Sequence, residues 1–324
     1  MPCRTDNHVF KRPAILWGAF VCAALLCLPA CEDRETASAA PQTPALPAEW
    51  ATSESFSAEN AYRHVAVLCG IGPRPSGSEG YAQQLGYLET RMTAEGWTVR
   101  RHEFTPQGSP VRMTNLHARF GDDNAPRPLL LSCHIDTKNL RGFIGADDGA
   151  SAAGVMLELA RVLTRHPELA AQVEFVFLDG EESFGAHMTE EDGLYGSRED
   201  VRERLRNNTL PRHLLNLDMV GGADNVIAVP AYDTSDAMLA QYAKALLAEN
   251  LPTTRWTVAP ASYRDDHRPY LEEGVEALNL IADFRGTRWW HKSGDTLDRI
   301  GTRTLRETGR LTMRLIQQLT DNEK

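Results

Sequence analysis

The chain has 324 residues and a formal net charge of −10 at pH 7. An acidic surface disfavours nucleic acid as a partner, because phosphates attract clustered Lys and Arg side chains. The length is sufficient for a large hydrophobic core, and it favours one α/β domain over two once the N-terminal segments are set aside.

Residues 1–31 have the organisation of a bacterial export signal. Lys11 and Arg12 precede an apolar run over 14–30, and the run ends in the sequence LPAC. This pattern of charge and hydrophobicity is typical of a secretory signal. The end of the run resembles a lipobox, in which Cys31 becomes the lipidated first residue. Plain secretion and an uncleaved anchor are the alternatives.

All three alternatives place the folded part outside the cytoplasm. We therefore expect an exported protein, either periplasmic or attached to the outer membrane of a bacterium as a lipoprotein. Contact with a membrane is expected only through the N-terminal lipid or anchor, and Cys31 is the candidate lipidation site.

Residues 32–54 are rich in Ala, Pro, Thr and Ser and are interpreted as a flexible linker. Residues 55–324 then form the folded domain. Of the six cysteines, only Cys69 and Cys133 belong to it. The two could pair in an oxidising compartment, but two cysteines make no disulfide framework, and buried free thiols are the preferred interpretation.

Alternating helical and strand patterns predict a three-layer α/β/α sandwich with a mixed, mainly parallel central sheet. Continuous apolar runs at 128–133 and 173–178 are typical of strands buried on both faces, and the helical spacing at 150–164 between them makes those strands parallel. Further helices are expected at 57–69, 78–95, 197–206, 234–249 and 302–320, and further strands at 97–104, 111–120, 213–217, 225–229 and 276–281.

Five separated fragments each contain a side chain that binds divalent metals, and most follow a short β-rich run. They are LLLSCHIDT with His134, GADDGAS with Asp148, FVFLDGEES with Glu181 and Glu182, LLNLDMVGG with Asp218, and RWWHKSGDTLD with His291. Strand ends are where open α/β sheets bind ligands. Two imidazoles and three carboxylates suit zinc, and the spare Glu181 beside Glu182 suits a general acid/base.

The neighbours of these residues leave some choices open. Asp136 can hold the ring of His134 or the turn that follows it. Either Asp147 or Asp148 can cap the next helix while the other faces the metal. Trp289 and Trp290 lie beside the last histidine, where they are plausible pocket walls.

Taken in order, these fragments resemble the zinc-dependent aminopeptidase superfamily with co-catalytic metals, over residues from about Ala58 to Leu319. The resemblance implies five metal ligands, with Glu181 as the acid/base: His134, Asp148, Glu182, Asp218 and His291. It also selects Asp148 as the bridging ligand, because only that aspartate lies ten residues before Glu158.

Within that superfamily, several motifs are similar to the animal-type glutaminyl-peptide cyclotransferases (glutaminyl cyclases). DGEESF followed by DGLYGSRED matches one of their segments, and RDDHRPYLEEGV resembles DDH-x-P-F-L-x-x-G-V. The second motif places Asp265 where the peptidases more often have Ser, and Trp290-His291 matches the Trp-His of the cyclases. The resemblance implies that Trp290 holds the substrate side chain and that Asp218 and Asp265 share a proton.

Several positions depart from the cyclase pattern, and the segment 291–296, HKSGDT, resembles the ending of the peptidases instead. Asn279 stands where the cyclases usually have a histidine, Gly149 where they have Ser, and His187-Met188 where a pocket tryptophan is expected.

As a cyclase, the protein would bind one zinc ion through Asp148, Glu182 and His291 and convert the N-terminal glutamine of peptides to pyroglutamate, with release of ammonia. As an aminopeptidase, the alternative, it would bind a second zinc through His134 and Asp218 and hydrolyse N-terminal residues. Both activities act on peptides with a free N-terminus. A metal-free binding module is disfavoured, because the chain keeps every ligand.

Overall fold

The computed structural model describes residues 55–122 and 125–321, which form an eight-stranded sheet flanked by helices. The helices are α1 (Ala58–Ile71), α2 (Glu79–Ala94), α3 (Ala150–Leu163), α4 (Pro167–Ala170), α5 (Tyr195–Asn207), α6 (Asp236–Ala248), α7 (Arg268–Glu272) and α8 (Thr302–Asp321). The strands are β1 (Thr98–Phe104), β2 (Met113–Arg119), β3 (Leu129–His134), β4 (Val173–Leu178), β5 (His213–Asp218), β6 (Ile227–Pro230), β7 (Trp256–Ala259) and β8 (Glu276–Ala282).

The strand order is β1-β2-β4-β3-β5-β8-β6-β7. The four central strands, β4, β3, β5 and β8, are parallel to one another, whereas β2 and β6 join them antiparallel. The predicted mixed and mainly parallel sheet is therefore confirmed. Because the central strands share one direction, their C-terminal ends lie at the same edge of the sheet.

Alternate residues of the central strands face two separate hydrophobic clusters. Leu129 and Leu131 of β3 pack in a large cluster that also contains apolar residues of α1, α2, α3, α6 and α8. Leu130, between them, packs in a smaller cluster with Val201 of α5 and Tyr270 of α7. This period of two gives the three layers predicted from the sequence.

Helix α3 is the central helix of the larger layer, and every one of its residues is buried. Its Glu158 accepts hydrogen bonds from the Ser57 backbone N–H (2.8 Å) and from Asn60 Nδ2 (3.1 Å), and Arg161 donates to it as well. A buried carboxylate requires such partners. Glu158 therefore ties the start of α1 to α3 and lies outside the site described below.

The sequence patterns missed two short elements, α4 and β7. Strand β7 is an edge strand of four residues that pairs only with β6 among the described strands, and only Trp256 in it is buried. Such a strand has no apolar run or clean alternation to reveal it. No helix in the described ranges is both long enough and apolar enough to cross a membrane. The predicted export signal and the predicted linker lie outside the described residues.

Candidate active site

Strand ends bring the predicted site residues to one edge of the sheet. His134 is the last residue of β3, and Asp218 is the last residue of the neighbouring β5. Strand β4 ends opposite His134, three residues before Glu181. The loop before α3 contributes Asp148, and the loop before α8 contributes His291. Side chains from five distant parts of the sequence are thus within reach of one another.

Two groups of possible metal ligands meet at Asp148. In the first, His134 Nε2 lies 3.2 Å from Asp148 Oδ1 and 3.1 Å from Asp218 Oδ1. In the second, His291 Nε2 lies 3.0 Å from Glu182 Oε1 and 3.5 Å from Asp148 Oδ2. The ligand atoms within each group lie within 4.8 Å of one another.

These distances suit a divalent metal. Bonds of about 2.0–2.1 Å in tetrahedral geometry place neighbouring ligand atoms about 3.3 Å apart. The oxygen Oδ2 of Asp148 is buried and has no hydrogen-bond partner, although a buried carboxylate oxygen normally has one. A cation between Asp148, Glu182 and His291 would satisfy it. Asp148 stands where it would bridge the two groups.

The backbone around Asp148 is held by Asp295, whose carboxylate accepts the N–H groups of Asp147 (2.8 Å) and Asp148 (3.1 Å). Gly149 follows with a backbone φ of +96°, a conformation that residues other than glycine rarely adopt. A Cβ there would lie 2.9 Å from the carbonyl oxygen of Asp136. A side chain at this position would therefore strain the turn between Asp148 and α3.

Asp147 faces away from the metal ligands. Its Oδ1 accepts the N–H groups of Gly221 and Gly222, and its Oδ2 accepts Nδ2 of Asn225 at 2.6 Å. It therefore fixes the loop after Asp218. The suggestion that one of the two aspartates caps α3 is wrong, because Gly149 occupies the N-cap position and no side chain bonds there.

Asp136 positions the glutamate pair. Its Oδ1 accepts the backbone N–H of Glu181 at 3.1 Å, and its Oδ2 accepts that of Glu182 at 3.2 Å. Its carboxylate lies farther, at 3.7 Å, from Nδ1 of His134, which lies 3.2 Å from the Asp136 carbonyl oxygen. Of the two roles considered for Asp136, holding the turn is thus the dominant one.

A buried lysine that sequence reasoning missed lies beside the glutamate pair. Lys138 Nζ contacts Glu182 Oε2 at 3.3 Å and donates to the carbonyl oxygen and hydroxyl of Ser183. A cation here offsets part of the cost of burying adjacent acids. A lone lysine in a turn gives no sequence signal, because most lysines are exposed.

Burial and like charges raise the pKa values of two carboxyl groups in this site, Glu181 and Asp218. Burial first, and then the charges of Glu182, Asp265 and Asp266, raise the pKa of Glu181 well above its usual range, although His134 opposes them. Burial and the charge of Asp265 likewise raise the pKa of Asp218 to about 7, despite its hydrogen bond with His134. Asp218 is therefore suited to carry a proton near neutral pH, and the raised pKa of Glu181 makes it a stronger base for proton transfer.

Asp265 is anchored by two amides. Its Oδ2 accepts Nδ2 of Asn279 (2.7 Å) and Nδ2 of Asn216 (3.2 Å), and its Oδ1 accepts the N–H of Asp266. Asn216 in turn accepts the hydroxyl of Ser132 at 2.6 Å. Sequence reasoning identified Asp265 but missed Asn216, because one polar residue inside a buried strand does not reveal its partner.

The site opens into a cavity of about 490 Å³. Trp290 lines it and stacks on His291, with ring centroids 4.1 Å apart. His187 and Met188 of the loop after Glu182 line it too, at the place where a pocket tryptophan was expected. The structure thus places Trp290 where it can contact a bound ligand, as its predicted role requires.

The two cysteines of the domain are free thiols. Cys133 is buried in β3 directly before His134, and Cys69 is half-buried in α1. Burial raises the pKa of Cys69 to about 12, so its thiol remains protonated at neutral pH.

This fold, with paired metal-ligand groups at the parallel strand ends, is that of a metal-dependent exopeptidase-like enzyme. The chain belongs to peptidase family M28, whose model matches residues 115–316.

Individual proteins are similar to it as well. A glutaminyl-peptide cyclotransferase-like protein of Mus musculus is 32% identical over 257 residues, which cover 69% of this chain and 66% of the relative, just under two thirds. The crystal structure of an Acidobacteriales bacterium glutaminyl cyclase is 24% identical, has a TM-score of 0.73, and is matched over 87% of this chain and all of that one. A leucine aminopeptidase precursor from Bacteroides thetaiotaomicron is 21% identical with a TM-score of 0.71, over 81% of this chain and 97% of that one.

We expect Gly149→Ala to weaken metal binding about tenfold, because the strained backbone would displace Asp148. Strain of this kind costs about 1–3 kcal/mol of stability. Equilibrium dialysis against zinc and urea unfolding would measure the two effects. Gly86→Ala is the matched control, since Gly86 lies in α2 with nothing within 4 Å of an added Cβ. Equal zinc affinity in the two variants would contradict the prediction.

Proposed function

We propose that this chain is a zinc-dependent glutaminyl-peptide cyclotransferase that converts the N-terminal glutamine of peptides to pyroglutamate and releases ammonia. The observation that carries the proposal is Asp265, a buried carboxylate anchored by two amides in the wall of the cavity that Glu181 and Asp218 also line. The resemblance to the aminopeptidases implies Ser more often at that position. The relatives named for this activity support the same conclusion.

Asp148, Glu182 and His291 would hold one zinc ion. When bound, zinc supplies Lewis-acid polarisation of the side-chain carbonyl of the substrate glutamine. Glu181, with its raised pKa, accepts a proton from the attacking α-amine and passes it to the departing ammonia. One C–N bond forms as another breaks, so the reaction consumes no water.

Asp265 and Asp218 form a pair of carboxyl groups that shares one proton. Two amides donate to Asp265, and burial together with the charge of Asp265 raises the pKa of Asp218 to about 7. The shared proton accordingly lies on Asp218. Trp290 forms the adjoining wall, where its ring can pack against the methylene groups of the glutamine side chain.

A second candidate is a dizinc aminopeptidase. The group formed by His134, Asp148 and Asp218 supports it, because it offers a second set of ligands with metal-like spacing. In this activity Glu181 would activate water instead of the substrate amine. The Asp265 anchor is the reason for ranking this activity second.

Incubation of the full-length protein with zinc and the dipeptide Gln-Ala separates the two activities. A cyclase releases ammonia and leaves the peptide bond intact, because the α-amine attacks the side chain. Mass spectrometry should therefore detect pyroglutamyl-alanine. Detection of free glutamine would instead identify an aminopeptidase and overturn the proposal.

Glu181→Gln should lower turnover by at least about a hundredfold, because the amide cannot transfer the proton. Zinc content should stay at the wild-type level, since Glu181 lies outside the ligand group of Glu182. Turnover and metal content would both be measured. Loss of zinc from this variant would show that the two glutamates have exchanged roles.

Asp265→Ser should reduce cyclisation strongly while zinc content stays unchanged. The substitution removes the acceptor of both asparagine amides and the charge that raises the pKa of Asp218. Asp224→Ser, at an exposed aspartate, serves as the control. Full cyclisation by Asp265→Ser would remove the main reason for preferring the cyclase.

We also propose that the protein is exported and anchored by a lipid on Cys31, in the periplasm or at the outer membrane. The basis is the basic, apolar and LPAC pattern of residues 1–31 alone. Cys31→Ser should abolish incorporation of labelled palmitate in a bacterial host and release the protein from membranes. Labelling of Cys31→Ser at the wild-type level would refute lipidation at this residue.

A further inference from the structure

Carboxyl groups and arginines line different parts of the cavity. Its floor carries the carboxylates of Glu181, Asp218 and Asp265. Its opening carries two exposed arginines, Arg264 and Arg285, which we call the arginine rim. The whole chain has a net charge of −10, so a cationic rim is a local exception to an acidic surface.

A row of aromatic rings forms one wall of the cavity. Trp290 stacks on His291. The ring centroids of Phe284 and Trp290 lie 4.7 Å apart, and those of Tyr263 and Phe284 lie 5.6 Å apart. The guanidinium of Arg285 lies 5.3 Å from the ring of Tyr263 and ends the row. A peptide extending from the floor along this wall would pass the rings and reach the rim.

The two rim arginines differ in what they contact. Arg264 forms an ion pair with the exposed Glu190. Arg285 contacts the Tyr263 ring but forms no ion pair with any residue in the described ranges. Arg285 can therefore form an ion pair with a bound ligand, whereas Arg264 would first have to break its ion pair with Glu190.

We propose that the arginine rim selects peptides with an acidic residue shortly after the N-terminal glutamine. The α-amine of such a peptide faces Glu181 on the floor, and its acidic side chain faces Arg285. Low-dielectric walls concentrate the field of charges in a cleft, so the effect is larger than on an open surface. This inference rests on the proposed cyclase function and adds a substrate class to it.

The experiment compares three tripeptide amides, Gln-Glu-Ala, Gln-Gln-Ala and Gln-Lys-Ala, at low salt. Amidation removes the negative charge of the C-terminal carboxylate, which would otherwise obscure the effect of the charge on the second residue. The wild-type protein should have its highest kcat/KM with Gln-Glu-Ala and its lowest with Gln-Lys-Ala. Moving Glu to the third or fourth position of a longer peptide would locate the residue that Arg285 contacts.

Arg285→Gln should lower the ratio of kcat/KM for the Glu peptide over the Lys peptide by about threefold to fivefold, the size expected for one exposed ion pair. The change should appear in KM rather than kcat, because the contact is equal in the ground state and the transition state. Arg288→Gln is the matched control, since Arg288 is exposed in the same loop but does not line the cavity.

Glu190→Gln provides a variant with the opposite expected sign. Removal of the competing carboxylate frees Arg264, so the preference for the Glu peptide should increase. Salt at about 1 M should reduce the preference in every variant, because the screening length falls to about 3 Å.

Equal rates with the three peptides, or an unchanged ratio in Arg285→Gln, would overturn the arginine rim as a determinant of specificity while leaving the cyclase function intact. Absence of ammonia release from all three peptides would refute the proposed function itself. The two failures are therefore distinguishable in one assay.

Discussion

The arrangement of the site depends on Asp148, whose two oxygens face two imidazoles from opposite sides. Both oxygens are buried, and burying a carboxylate without partners is strongly unfavourable. The surrounding structure holds this geometry through several rigid contacts: Asp295 fixes the backbone of Asp148, Gly149 lets the chain turn, and Asp147 ties the neighbouring loop. Each contact comes from a different part of the sequence, so the metal ligands are held by the fold as a whole.

Carboxyl groups lie close together in this site, and three features of the structure reduce their mutual repulsion. Lys138 contacts Glu182, amides donate to Asp265, and a raised pKa allows Asp218 to keep a proton. Removing one of these partners would leave a buried charge uncompensated. That would destabilise the protein by more than the intact interaction stabilises it. The chemistry and the stability of the domain are consequently linked at this edge of the sheet.

Much of the fold followed from the sequence, because buried parallel strands and amphipathic helices have periodic patterns. The convergence of His134, Asp148 and Glu182 followed from the ends of those strands. Lys138 and Asn216 did not, since a single polar residue has no period and its partner is set by tertiary packing. The competition between metal binding and helix capping at Asp147 and Asp148 was settled only by three-dimensional contacts, with Gly149 at the cap.

The amide anchor of Asp265 has a consequence for the range of conditions in which the site stays intact. Asn216 and Asn279 neither gain nor lose protons, whereas a histidine in place of Asn279 would change its charge close to neutrality. Acidification that would protonate an imidazole leaves both amide donors unchanged. The two side-chain donors that orient Asp265 therefore keep the same charge as the pH changes.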